Sequence, residues 1–210
     1  MKTALIIGAS GLIGNLLTLR LLEEKKYEKV KIVVRRKLDI RHPILEQIVS
    51  DFEHFPEDKI VADDIFCCLG TTMKKAGSKA AFEKVDYEYP LKLAQIALKN
   101  GATQYAIVTA MGADSKSMIY YNRVKGDIEK ALIDLHFPNL MIFRPSMLLG
   151  DRKEHRVAEK IGIFFMKLLE PLTPLKYKGI QASKVAAAMS EMAQKGLKDV
   201  HIVESGEMNV

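Results

Sequence analysis

The chain has 210 residues, 48% of them hydrophobic, and a net charge of +6 at pH 7. That length suits one domain, 1–210, and the apolar fraction excludes a disordered chain. Basic residues are mixed with acidic ones, as in Glu23-Glu24-Lys25-Lys26, and no basic stripe interleaved with aromatics appears, which argues against nucleic-acid binding.

The first predicted element is the most specific. An apolar run predicts a strand over Ala4–Ile7, and Gly8, Gly11 and Gly14 follow at a G-x-x-G-x-x-G spacing that takes in Ser10, Leu12 and Ile13. Leu12, Ile13, Leu16, Leu17, Leu21 and Leu22 then recur at helical intervals, giving a helix over Leu12–Glu24. Strand, glycine turn and helix bring a dinucleotide pyrophosphate onto a helix N-terminus. Gly8 permits the turn, Gly11 lets backbone approach phosphate, and Gly14 lets helix and strand pack closely.

A second strand, Val30–Val34, runs into Arg35-Arg36-Lys37. An acidic residue at this point suits a ribose 2′-hydroxyl, whereas the bidentate fork of arginine suits a 2′-phosphate, so NADP(H) is expected rather than NAD(H). A poorly patterned connection around Pro43–Glu46 leads to a third strand, Gln47–Phe52. Its last residues, Asp51 and Phe52, flank an adenine ring on one reading; on the other, Asp51 simply caps a turn. The fourth strand, Asp64–Leu69, meets Gly70, Thr71 and Thr72. Leu69, Gly70 and Thr71 are read as cofactor-binding, glycine for close backbone approach and threonine for phosphate or ribose oxygens.

A helix over Lys79–Lys99, a strand over Gln104–Thr109, a helix over Ser117–Leu135 and a strand over Leu140–Arg144 continue the alternation. Such a pattern predicts an α/β, Rossmann-like, doubly wound parallel sheet. On the second of these helices Tyr121 and Lys125 stand at i, i+4, on one face. A nearby ammonium favours the phenolate, which makes Tyr121 a usable proton donor and acceptor. Tyr120 lacks that partner, since Val124 stands four residues on. Thr109, at a strand end, offers a hydroxyl to orient a substrate oxygen. Beyond Gly150 the pattern gives a helix at Arg156–Leu169, a Pro171/Pro174 loop, a helix at Ser183–Lys195 and a short strand, Val200–Val203. Residues 150–210 are therefore assigned to the substrate side, because ligands bind beyond the carboxyl ends of such strands.

These residues resemble the short-chain dehydrogenase/reductase superfamily, and more narrowly its atypical, epimerase-like branch of Tat-interactive-protein-like members. The resemblance runs over nearly the whole chain, through Gly8 to Gly14, Arg35-Arg36-Lys37, Asp51-Phe52, Cys68-Leu69-Gly70-Thr71-Thr72, Gly112-Ala113-Asp114, Tyr121/Lys125-Gly126 and Phe143-Arg144-Pro145. It implies a Rossmann fold, NADP(H) held by the glycine turn and Arg35/Arg36, and Tyr121 with Lys125 as the active-site pair, the lysine also binding the nicotinamide ribose. Two departures stand out. Thr109-Ala110 replaces serines found in the family, and the tail is short beside the substrate lobe of nucleotide-sugar epimerases, which argues against a nucleotide-sugar substrate.

Other features are set aside. Cys67 and Cys68 are adjacent, cannot cross-link distant parts of the fold, and read as small buried residues, which predicts a reducing, cytoplasmic compartment. The five histidines are dispersed and predict no metal site. No signal peptide is read at Lys2, and the run from Ile161 through Leu169, broken by Lys167, is too short to span a bilayer. Ile161 to Met166 is read as core or pocket wall, with a subunit or membrane-surface contact as the alternative, and a homodimer or a protein partner is the partner expectation for the chain. Arg144-Pro145-Ser146 is read as shaping the pocket. The function expected is hydride transfer with a small carbonyl or alcohol substrate; the rival is an NADP(H)-binding regulatory protein with little catalysis.

Overall fold

A computed structural model describes residues 2–150 and 178–209. Its centre is a parallel sheet of seven strands in the order β3-β2-β1-β4-β5-β6-β9. These are β1 (Lys2–Ile7), β2 (Tyr27–Val34), β3 (Leu45–Val49), β4 (Asp64–Cys67), β5 (Gln104–Val108), β6 (Asn139–Arg144) and β9 (Asp199–Glu204). Two short strands, β7 (Leu148–Leu149) and β8 (Ile180–Gln181), pair separately. The apolar runs do not alternate with polar residues because both faces are covered. Ala4 and Ile6 of β1 pack with α1 (Leu12–Glu23) and α6 (Ala182–Ala193), whereas Leu5 and Ile7 face α4 (Tyr89–Lys99) and α5 (Tyr120–Ile133). The architecture is the expected Rossmann-like one. The helix expected at Arg156–Leu169, the Pro171/Pro174 loop and the Ile161 to Met166 run lie outside the described residues.

Two boundaries differ from expectation for reasons that matter at the site. The third strand stops at Val49, because Asp51 accepts hydrogen bonds from the Glu53 and His54 N–H groups, both at 2.9 Å, and turns the chain. Phe52 lies past that stop at φ +72°, its ring stacked on Phe55. The expected helix over Lys79–Lys99 is three pieces: α3 (Lys79–Glu83), a π-helical turn (Lys84–Glu88) and α4. Pro90 has no N–H to donate to the Asp86 carbonyl four residues back, so the α ladder fails there and the chain widens by one residue. A short helix not anticipated, α2 (Met73–Ala76), precedes them, with Thr72 as its N-cap.

Candidate functional site

The carboxyl ends of β1 and β4 meet at the point where the strand order reverses, the place where an open α/β sheet forms a crevice. The glycine turn leaves no room for side chains there. A Cβ on Gly8, whose φ is +86°, would lie 2.6 Å from the Cys68 carbonyl carbon. One on Gly14 would lie 2.2 Å from the Gly8 oxygen. Backbone therefore packs on backbone, and Ser10 and Gly11 stay exposed at the rim, with Leu12 partly covered and Ile13 buried beneath. Gly11 caps α1 without a side-chain hydrogen bond, and the first turn carries no acidic residue. The Gly11 N–H donates to the Gly8 carbonyl at 2.9 Å, so the N–H groups of the first turn that follows, on a cleared surface at a helix N-terminus, fit a pyrophosphate. After β2, Arg35 and Arg36 are exposed and make no ion pair among the described residues, so the donor set also fits a further phosphate.

Facing this turn is the loop after β4. Thr71 donates its backbone N–H to Asp86 Oδ2 at 2.9 Å. Asp86 is fully buried on the π turn, and its Oδ1 lies 2.7 Å from the Lys125 ammonium, itself only 4% exposed. A Cβ on Gly70 would stand 3.7 Å from Asp86 Oδ1 and 4.0 Å from Lys125 Nζ, so the exposed face of Gly70 lies directly over the pair. Burial alone would lower the Lys125 pKa, but the attraction of Asp86 outweighs it and raises it above the ordinary lysine value. Tyr121, one helical turn back, packs its ring 5.7 Å from Phe82, and its hydroxyl makes no hydrogen bond among the described residues. Tyr120 is occupied: its hydroxyl donates to Glu83 Oε1 at 3.0 Å, and Lys79 and Arg123 sit against its ring. Close approach of α5 to the preceding loop depends on Gly126, where a Cβ would lie 2.1 Å from Ser115 N.

Thr109 does not join this pair. It is 5% exposed and donates its hydroxyl to Glu129 Oε1 at 2.6 Å, which corrects the expectation that it orients a substrate oxygen. Arg144 clasps the same carboxylate, Nε to Oε1 at 3.1 Å and Nη2 to Oε2 at 2.5 Å, and reaches Glu204 at 3.2 Å. Arg144 thus ties β6, α5 and β9 together. Asp51 serves as the turn cap described above, and the His54 N–H donating to it holds its carboxyl below the usual range. Thr72 Oγ1 accepts from Lys75 N at 3.3 Å as an N-cap. Burial pushes the Cys67 thiol up to about 11, which suits an inert buried residue. Asp86 was not anticipated. The available signal was an aspartate four residues before a proline inside a helical run, at i+4 from the buried Phe82.

Residues 28–175 match the HIM1 family. Rat HTATIP2 is 33% identical over 97% of this chain and 86% of its own length. The mitochondrial protein FMP52 of Eremothecium gossypii is 33% identical over 98% of this chain and 95% of its own length. Among solved structures, MoeE5 in complex with UDP-glucose and NAD superposes with a TM-score of 0.73 at 14% identity, covering 98% of this chain and 79% of that one, a likeness of fold. The FMP52 proteins of Debaryomyces hansenii and Candida albicans are also mitochondrial, and these relatives overturn the cytoplasmic expectation. Free thiols report only that no disulfide forms, and do not distinguish one compartment from another. Among the described residues no helix is long and apolar enough to cross a membrane.

Proposed function

We propose, from the premise that the chain belongs to the HIM1 family of atypical, epimerase-like short-chain dehydrogenase/reductase-type proteins, that it is an NADP(H)-dependent oxidoreductase acting on a small carbonyl or alcohol. The observation that carries this reading is the buried Lys125 ammonium, held by Asp86 directly beneath Gly70 and across from the glycine turn, with Tyr121 one turn back on the same helix. Ser10, Gly11, Leu12 and Ile13 would hold the pyrophosphate at the start of α1, with Gly8 and Gly14 clearing its path. Leu69, Gly70 and Thr71 would form the opposite wall, and Phe52 the adenine side. Arg35 and Arg36 would take the 2′-phosphate. When bound, the nicotinamide supplies hydride exchange with a carbonyl or alcohol carbon. Tyr121 gives a proton to the substrate oxygen in reduction and accepts it in oxidation, while the Lys125 ammonium stabilises negative charge on the phenol oxygen.

Titration calorimetry with NADPH and NADH tests the cofactor assignment. Arg35→Ala/Arg36→Ala should weaken NADPH binding by roughly tenfold to a hundredfold, towards the NADH level, as lost charge-assisted hydrogen bonds predict. Tyr121→Phe should then abolish turnover of carbonyl substrates with NADPH affinity unchanged; full turnover in that variant would refute the mechanism.

A second reading is favoured by the commitment of Thr109 to Glu129, which leaves Tyr121 without that hydroxyl beside it. On this reading the chain binds NADP(H) to present a surface to a protein partner or a second copy of itself. NADPH affinity with no turnover across a broad carbonyl panel would support it.

A further inference from the structure

The π-helical turn does something that an unbroken helix would not: it carries one carboxylate into the space between α5 and the loop after β4. Asp86 touches both walls, Lys125 through Oδ1 at 2.7 Å and the Thr71 N–H through Oδ2 at 2.9 Å. It is 1% exposed. A carboxylate is brought out of water at considerable cost, and this one is offset by two specific partners, each adjoining the proposed cofactor groove. We propose that Asp86 is a positioning residue that acts through Lys125, holding its ammonium in place behind Tyr121 and locking the Gly70-Thr71 loop to the same pair.

The charged and titratable groups around Lys125 are few. Asp86 faces it from the π turn, Tyr121 from its own helix and Cys67 from the end of β4. Glu129, the next carboxylate along α5, is held by Arg144 and Thr109. Asp86 is therefore the single anion directly against the ammonium among the described residues. The inference rests on the oxidoreductase reading for its purpose, but its physical content does not require catalysis.

Lysine-selective 13C NMR of the full chain tests it, with the Lys125 Cε signal assigned from its loss in Lys125→Arg. In wild type this signal should titrate above the bulk lysines. In Asp86→Asn it should titrate about one pH unit lower or more, because burial then acts without the compensating charge. The Thr71 amide should exchange faster in the same variant, and NADPH affinity should fall about tenfold or more, as expected when a charged ligand group loses its orientation. An unchanged Lys125 titration in folded Asp86→Asn overturns the proposal. Should that variant fail to fold, Asp86→Asn/Lys125→Met removes both charges together. It should fold and melt above Lys125→Met, which leaves the buried Asp86 carboxylate without its cation, and a double variant that stays unfolded or melts no higher than Lys125→Met overturns the coupling. The resonance is read without cofactor. A wild type that binds no NADPH would thus refute the oxidoreductase reading while the result for Asp86 stands.

Discussion

Gly14 and Gly70 line the same crevice, yet their hydrogens are needed for different reasons. A methyl on Gly14 would meet the Gly8 carbonyl oxygen at 2.2 Å, so strand and helix would have to separate. Gly14→Ala should lower stability by about 1–3 kcal/mol or more, the range for overpacking a fitted interior, and should abolish NADPH binding with it. On Gly70 the methyl finds ordinary contact distances, 3.7 Å to Asp86 and 4.0 Å to Lys125, and its φ is not positive. Gly70→Ala should leave stability within about 0.5 kcal/mol, as for an unremarkable surface change. It should nevertheless weaken NADPH binding, because the methyl stands where a ligand would pass over the pair. Thermal melts and calorimetry on the two variants separate a structural glycine from a binding one. Wild-type affinity in Gly70→Ala would show that the cofactor does not cross that point.

The helix α5 is where sequence pattern and structure part company most instructively. Tyr121 and Lys125 follow from helical spacing alone, as the glycine turn follows from its position between a strand and a helix. Asp86 does not, because spacing cannot announce a π turn; only Pro90, four residues later, hints that the ladder fails. Thr109 departs from its expected role for a related reason. Successive strand residues face opposite sides, so Thr109 falls on the side of Tyr105 and Ile107, towards α5 and Glu129. The sequence allows Asp51 two roles, and the Glu53 and His54 N–H groups that donate to its carboxylate favour the turn cap. The position of α5 itself rests on Gly126, and Gly126→Ala should push the helix off the Asp114-Ser115 backbone, displacing Tyr121 and Lys125 together. Folded protein that has lost NADPH binding is the expected outcome, visible by circular dichroism and titration. The buried pair also sets a pH limit. Lys125 has a folded pKa raised above its ordinary 10.5, so its contribution is complete below that value and disappears as pH rises through the folded pKa. Urea midpoints should fall more steeply above about pH 10.5 in wild type than in Asp86→Asn/Lys125→Met.

Protection should be graded across the sheet. β1 and β4 lie at its centre and are buried on both faces from Ala4 to Ile7 and from Asp64 to Cys67. β9 is an edge, with Val200 and Ile202 each about two-fifths exposed at 40% and 42%. Amide exchange of β1 and β4 should therefore require global unfolding, with β3 and β9 exchanging earlier. Equal protection of β9 and β1 by NMR would contradict this gradient. The strand order carries a consequence for how the chain is made. Once β1, β2 and β3 are laid down, the later strands of this sheet join at one advancing edge, β4 beside β1, then β5, β6 and β9 each beside the one before. A chain emerging from the ribosome can build the sheet in the order in which it is translated, without rearranging what is already paired. The exception is the final step. β6 ends at Arg144 and its partner begins only at Asp199, so Leu140 to Phe143 wait as an open, wholly apolar edge until β9 has been made. Chains truncated or stalled before Asp199 would stick to one another there, through an adhesive strand that β9 otherwise covers.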